Sequence, residues 1–576
     1  MKQNLKTLAR VMMAAALLVA VSSCTKEEIN DLQGMRIKGV ERHIVGTASL
    51  PATDKAYIDF NDGNKVVWSA NDYVNINGVS IQGSDIDGSH ATFEGTTYAI
   101  PSNNQEIYWA VYPESYALPY DNAIPSSFTA TTLTLDMPSI QTCDINDNPL
   151  EGVNCMAAYA SVPQGTTQVN FEMKNLCSVI HLTLQAAAGT ANTYANRIVL
   201  QSSSKLSGAF TTDNTMSLTA TNGAYDNMVV YLSDGNNDYI DISSEKEVYL
   251  IIPPVSGDFT IRIYNTDNKY ITKTASNFST NRNTVYSNTI NNVTFSESSK
   301  ISVSAVNSVV FSPGNLQYNP SEGTWQFAAE QFDFIGADNA NISSSYNDWV
   351  DLFGWGTSGY DNTNNDPYAI NFQPYATGNS EVDATNNFYG YGPSINMTDP
   401  SLVGTSSPYD WGIFNIIYNP KTETNDPAGT WRTPSAAEWL YMFNTRSAAT
   451  VNGTSNARFA KGKVSGVPGV IIFPDDFINV GRPIHHINEA ASTAYQSNEY
   501  TSDDWPVMEA QGCIFLPNAG YRTPSGVSTA AGSGNYWSST YDSSKKAKCI
   551  QVADLSSSVA GFRYYGRSVR LVKNAQ

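Results

Sequence analysis

The chain has 576 residues, 41% of them hydrophobic and 15% charged, with a formal net charge of -20. That acidic balance opposes nucleic acid, which is held by basic patches that release counterions. It suits a solvated extracellular surface, while the length suffices for three or four domains with real cores.

In chain order the first element is a targeting segment. Lys2, Lys6 and Arg10 precede an apolar run from Val11 to Val21, which closes on Ser22-Ser23-Cys24. A charged start, a short apolar core and small residues before a cut describe a secretory signal over residues 1–24. The run is well short of the ~20 residues that a bilayer core requires. Cys24, placed after small residues, resembles the bacterial lipobox cysteine, whose thiol is lipidated and becomes the new N-terminus. Lys26-Glu27-Glu28 is similar to the surface-export signal of Bacteroidetes lipoproteins. The resemblance implies an outer-membrane lipoprotein exposed at the cell surface.

Short runs with period-two alternation follow, separated by clusters of Gly, Pro, Asn and Asp. They include Val66–Trp68, Ile107–Tyr112, Val179–Leu184, Val229–Leu232, Val248–Ile252 and Phe259–Tyr264. The pattern predicts β-sandwiches. A soft boundary falls at Gly189–Asn192, and the polar stretch Ser296–Lys300 reads as a hinge. Eight of the ten tryptophans lie beyond residue 300, so composition changes there as well. The division expected is 25–189, 190–298 and 299–576.

Trp68-Ser-Ala-Asn-Asp72-Tyr-Val-Asn-Ile76, then Met156-Ala-Ala-Tyr159, then Phe171-Glu-Met-Lys174-Asn-Leu-Cys177-Ser-Val-Ile180 occur in that order. The series resembles the fimbrillin family, the type V pilins and pilus-tip proteins of Bacteroidales, over roughly residues 25–298. The resemblance implies two tandem transthyretin-like β-sandwiches. It also implies assembly with other pilin subunits by strand exchange, after a protease frees the first strand. Here the removable strand is His43–Leu50, and the freeing cut falls at Lys55. Lys55 departs from the arginine that such a protease prefers. Arg42 has the right side chain, although a cut there leaves the strand in place.

Beyond residue 300 come Val309–Tyr318, Asp351–Gly359, Trp431-Arg-Thr-Pro434, Leu516–Arg522, Gly534–Thr540 and Gly566–Val572. In this order they resemble the C-type-lectin-like domains of exported Bacteroidetes and Fibrobacter proteins, over about residues 305–573. The resemblance implies an α+β domain on a mostly β protein, and fold alone does not give function. The single convincing amphipathic helix runs from Ser435 to Asn444, with Glu438 at capping-box spacing from Ser435. Gln373-Pro374-Tyr375 and Trp537-Ser538-Ser539 lack the oxygens with which such lectins hold calcium, so no metal and no cofactor is expected. No paired-carboxylate or cysteine constellation marks an enzyme.

Five cysteines remain after Cys24. Cys513 and Cys549 sit in strand-like runs and are one candidate disulfide; Cys143 and Cys155 are another, leaving Cys177 as a buried thiol. Asn535, Tyr536, Trp537, Tyr541, Tyr564, Tyr565 and Arg567 are candidate ligand contacts, because Tyr and Trp offer rigid amphipathic surface to a glycan or protein. The sequence thus points to a fimbrial tip or accessory subunit with an adhesive C-terminal domain. The alternative is a monomeric surface glycan-binding lipoprotein.

Overall fold

The structure is a computed structural model. It describes residues 37–575 apart from 38, 50–67, 69–71, 120–122, 147–153, 342, 362–373, 375–392, 394–399, 480–481, 483, 524, 529–533 and 544. Cys24 and Lys55 lie outside the described residues. The protein is mostly β and divides into two compact units, Met1–Glu297 and Ser298–Gln576.

The first ten strands of the N-terminal unit are β1 Val40–Ser49, β2 Tyr73–Ile76, β3 Val79–Asp87, β4 His90–Ser102, β5 Gln105–Tyr112, β6 Thr132–Met137, β7 Ile140–Asp144, β8 Met156–Pro163, β9 Gln168–Glu172 and β10 Lys174–Asn175. Eight of them form one sheet, in the order β10-β8-β5-β2-β3-β4-β1-β9, and β4 also pairs with β5. The sequence of β5 explains the layering. Successive strand side chains point to opposite faces. Tyr108 and Ala110 therefore enter one core with Ile44, Phe93 and Phe171. Ile107, Trp109 and Val111 enter another with Phe128, Leu133 and Leu135. A strand buried on both faces reads as a continuous apolar run.

The remaining strands of this unit are β11 Ser178–Ala186, β12 Tyr194–Ser202, β13 Ser207–Asp213, β14 Thr219–Tyr225, β15 Asn227–Ser233, β16 Ile240–Asp241, β17 Lys246–Ile252, β18 Ser256–Asn265, β19 Lys269–Ser279, β20 Val285–Val293 and β21 Glu297–Ser298, the last straddling the division between units. The sheet β17-β11-β20 faces the sheet β21-β19-β18-β12-β15-β7. Between them lie Leu182, Leu184, Ile198, Leu200, Val230, Leu250 and Ile263. β6 joins β13 and β14 in a third small sheet.

The expected boundary at residue 189 is therefore corrected. β11 precedes it, yet Ile180, Leu182 and Leu184 complete the later core. β6 and β7 also precede it, and they pair with β13 and β15. Along the chain the passage between sandwiches falls at Leu176–Cys177, just after β10.

The C-terminal unit is built from short strands and loops. Val309–Phe311 pairs with Val572–Asn574, bringing an early strand and the last described strand of the unit together. The predicted helix is present as Ala436–Asn444 with Ser435 as its N-cap. Glu438 N–H donates to Ser435 Oγ at 3.2 Å, and Ser435 N–H donates to the Glu438 carboxylate at 2.7 Å. Both halves of the capping box are made. The helix buries Ala436, Trp439, Met442 and Phe443. Trp355, Trp411, Trp439, Trp505 and Trp537 are all fully buried, as a loop-rich chain needs bulky side chains to fill its core.

Both expected disulfides are corrected too, since the two cysteines of each expected pair are buried in different cores. Cys143 lies in the core between the β11 and β12 sheets, whereas Cys155 lies in the core beneath β5. Cys513 packs with Trp505 and Phe515, while Cys549 packs with Trp537 and accepts from Arg567 Nη1 at 2.7 Å. Each member of an expected pair belongs to a different core.

Candidate strand-exchange site

β1 is the first described strand, and it lies inside its sheet with β9 at the outer edge. It pairs with β4 antiparallel over ten residues, Val40↔Ala99 to Ser49↔His90. It pairs with β9 in parallel from Val45↔Gln168 to Ser49↔Glu172. Two more backbone bonds bracket its pairing with β9, Val45 N–H to Thr167 O at 2.8 Å and Met173 N–H to Ser49 O at 3.0 Å.

Alternation decides what β1 presents to the core. Arg42, Ile44, Gly46 and Ala48 share the inward face, and Ile44 and Ala48 are buried. Beneath them lie Phe93, Ala91, Val169 and Phe171, all buried. Gly46 is dictated by close approach. A Cβ there would lie 2.9 Å from Phe171 Cε2 and 3.3 Å from the Phe93 carbonyl oxygen, too near for any larger residue without movement. The outward residues make lighter contacts, His43 with Glu94 at 3.2 Å and Thr47 with Asn170 at 3.3 Å.

At the open end of this face stands a buried acid. The Glu106 side chain is 2% exposed and pairs with Arg42. Arg42 Nη2 lies 2.5 Å and Nε 3.0 Å from Glu106 Oε1. Gly165 N–H and Tyr108 Oη also donate to Glu106, at 3.3 and 3.4 Å. The hydrogen bond to Glu106 raises the Arg42 guanidinium above its usual value, and burial raises the Tyr108 hydroxyl. A buried carboxylate with one cationic partner is costly to strand, so Arg42 locks β1 in register.

Arg42 lies inside β1, paired with Thr97, so a cut after it would fall within the strand. Lys55 follows β1 in residues outside the described set. Glu106 was missed from sequence, and so was the close approach of Gly46 to Phe171. The available signal was a lone acid opening the apolar run Ile107–Tyr112, and a Gly between Ile44 and Ala48.

The expected ligand face of the C-terminal unit is also corrected. Asn535, Tyr536, Trp537, Tyr564 and Arg567 are buried, and only Tyr541 and Tyr565 are half-exposed. Asn535–Ser543 is a strand whose first five residues are buried on both faces. Tyr536 Oη donates to Pro517 O at 2.8 Å, and burial pushes that hydroxyl up. Trp537 Nε1 donates to Phe353 O at 2.7 Å. Arg567 donates to Asn535 Oδ1 at 2.7 Å with its guanidinium 4.9 Å from the Trp537 ring centre. These polar groups are bonded inside the unit. Among the described residues of this unit, the exposed large apolar side chains are Val306, Val403, Phe414, Ile416 and Tyr418.

Among the described residues, no group of three or more His, Cys, Asp or Glu side chains is placed to hold a metal ion. No described helix is long and apolar enough to cross a membrane.

No protein-family model matches the chain, and no curated protein matches it. Solved structures with loose similarity include a candidate cell adhesion protein from Bacteroides ovatus ATCC 8483, at 14% identity and a TM-score of 0.29, covering 45% of this chain and 95% of that one. A fimbrial protein from the same organism is 11% identical with a TM-score of 0.21, covering 92% and 99%. The fimbrial anchor protein Mfa2 from Porphyromonas gingivalis is 10% identical with a TM-score of 0.21, covering 41% and 82%. Overlaps this loose carry no argument, and the functional reading rests on the residues.

Proposed function

We propose that the protein is a fimbrial subunit, anchored through Cys24, in which the position of β1 is the joint with another subunit. Withdrawal of β1 would leave β4 and β9 with unpaired backbone groups along a groove floored by Phe93 and Phe171. A strand from a second chain can restore both ladders, which is recognition by β-augmentation. The observation that carries this reading is the fit of β1 itself. It is a long strand held from both sides, joined to the rest of the chain through residues 51–67. An incoming strand would need a cation to meet Glu106 and, four residues later, a glycine to clear Phe171.

The C-terminal unit, whose motifs resemble C-type-lectin-like domains, would present the surface that binds a glycan or protein. Its closing strand Val572–Asn574 is taken up inside the unit by Val309–Phe311. A strand so engaged cannot be lent to a neighbour, which favours a tip or accessory position over a shaft repeat.

The test uses the full chain with a specific protease site placed within residues 51–67. After cutting, an excess of labelled peptide spanning residues 40–50 should exchange into the protein and remain with it through gel filtration. Peptides carrying Arg42→Glu or Gly46→Val should enter at least tenfold less. No uptake of the unaltered peptide would rule out strand exchange at this joint. Equal uptake of all three would remove Glu106 and Phe171 as selectors. On cells, labelling found along fibre shafts and never at their ends would overturn the terminal placement.

A further inference from the structure

One pair of side chains in the N-terminal unit has chemistry that the fimbrial reading does not use. Cys155 and Cys177 belong to the same core, beside Trp109, Leu176 and Ile251, and are 0% and 1% exposed. The antiparallel pairing of β8 with β10 ends at Met156↔Asn175. It is carried one step further by Leu176 N–H donating to Cys155 O at 2.9 Å. Cys155 therefore stands across from Leu176, the residue before Cys177. A disulfide spans a Cα separation of about 4.4–6.8 Å, so only cysteines brought this near by the fold can pair. The Cys177 thiol also adds to the burial that raises the Cys155 thiol above its ordinary value. None of the other described cysteines has such a neighbour. Cys143 accepts from Tyr249 N–H at 3.4 Å, Cys549 meets Arg567, and Cys513 lies in a separate core.

We propose that Cys155 and Cys177 are joined as a disulfide in the mature protein. The bond ties the start of β8, in the first sandwich, to the residue that leads into β11 of the second. It closes the loop through β8, β9 and β10 at the passage between sandwiches.

The reaction is thiol–disulfide exchange with a disulfide oxidant, either an exported protein disulfide or oxidised glutathione. One thiolate attacks the oxidant and releases one reduced sulfur. The second then attacks the mixed disulfide, forming the Cys155–Cys177 bond and releasing the other reduced sulfur. Two protein thiols are oxidised, one oxidant disulfide is reduced, and both protons leave with the oxidant's thiols. Burial pushes the Cys155 thiol well above its ordinary value, so little thiolate exists in the folded core. The bond accordingly forms while the chain is folding.

The experiment refolds the reduced, denatured full-length protein in a mixture of oxidised and reduced glutathione. Acid quenching, denaturing alkylation and intact mass measurement follow. Of the five cysteines beyond Cys24, three should be alkylated and two linked. Cys143→Ala should keep the link, whereas Cys155→Ala and Cys177→Ala should each abolish it. The oxidised protein should melt roughly 5–10 °C above the reduced one in its N-terminal unit. Protein folded first in reductant and exposed to oxidised glutathione afterwards should oxidise at least tenfold more slowly. If either alanine variant fails to fold, digestion of the unaltered protein with a protease that separates Cys143 from Cys155 identifies the linked peptides. Alkylation of all five cysteines after oxidative refolding, or a link that includes Cys143, Cys513 or Cys549, would overturn the proposal.

Discussion

The two units solve the same problem, burying polar groups, by opposite means. In the N-terminal unit the backbone is satisfied by long ladders, such as the ten-residue pairing of β1 with β4, and side chains mainly fill space. In the C-terminal unit the strands are short, and buried charged side chains hold the loops. Arg446, Arg522, Arg563 and Arg570 are all within 1% of complete burial. Arg446 donates to Asp475 at 2.6 Å and to the carbonyls of Met442, Arg458 and Phe473. Arg563 donates to Pro393 O at 2.6 Å, and burial lowers it to about 9. A ladder is repetitive and tolerates the loss of one contact, whereas such an arginine serves several loops at once.

The contrast predicts that the largest losses come from arginines in the C-terminal unit. Arg446→Ala removes the cationic partner of Asp475, which keeps only its bonds from Ser302, and the donor to three carbonyls, so that unit should lose roughly 3–5 kcal/mol in denaturant unfolding. The N-terminal transition should stay where it is. A loss under 1 kcal/mol would break the distinction between the units. Leu182→Ala, in the core between the β11 and β12 sheets, should cost the N-terminal unit roughly 2–4 kcal/mol through lost burial and a cavity. Its effect should follow cavity size, and leave the C-terminal unit unchanged.

The pH response should differ as well. Asp351 accepts from Ile335 N–H at 2.9 Å and Asn339 Nδ2 at 2.7 Å, and burial raises its carboxyl to about 6. In the unfolded chain an aspartate titrates near 4. Between about pH 4 and 6 the folded state thus keeps a proton that the unfolded state has lost. This contribution is complete below pH 4 and fades as pH rises towards 6, by no more than roughly 3 kcal/mol. Asp351→Asn should flatten that fall in the C-terminal unit, and an unchanged slope would exclude Asp351 as its source. The smallest effect belongs to Ser435→Ala, which removes half of the capping box and should cost about 1 kcal/mol.

How much was legible in the sequence differs between the units for the same reason. Short apolar or alternating runs located β5, β11, β17 and β18, and the Ser435–Glu438 spacing placed the helix to within one residue. In the C-terminal unit, Tyr, Asn, Trp and Arg near residues 535–567 looked like a polar contact surface. Most of them are buried, and Arg567 donates to Asn535 across 32 residues. No local pattern separates a polar residue bonded inside from one offered to a ligand.

Period and capping are properties of neighbouring residues, so the chain alone determined the β class, the helix and the change of character near residue 298. Partner choice depends on which surfaces meet after collapse. Only the tertiary structure decided that β6, β7 and β11 complete the later sheets, that Cys143 and Cys155 lie in different cores, and that Glu106 meets Arg42 from 64 residues away. Side-chain alternation fixes which residues leave water, and packing against distant strands fixes what they touch.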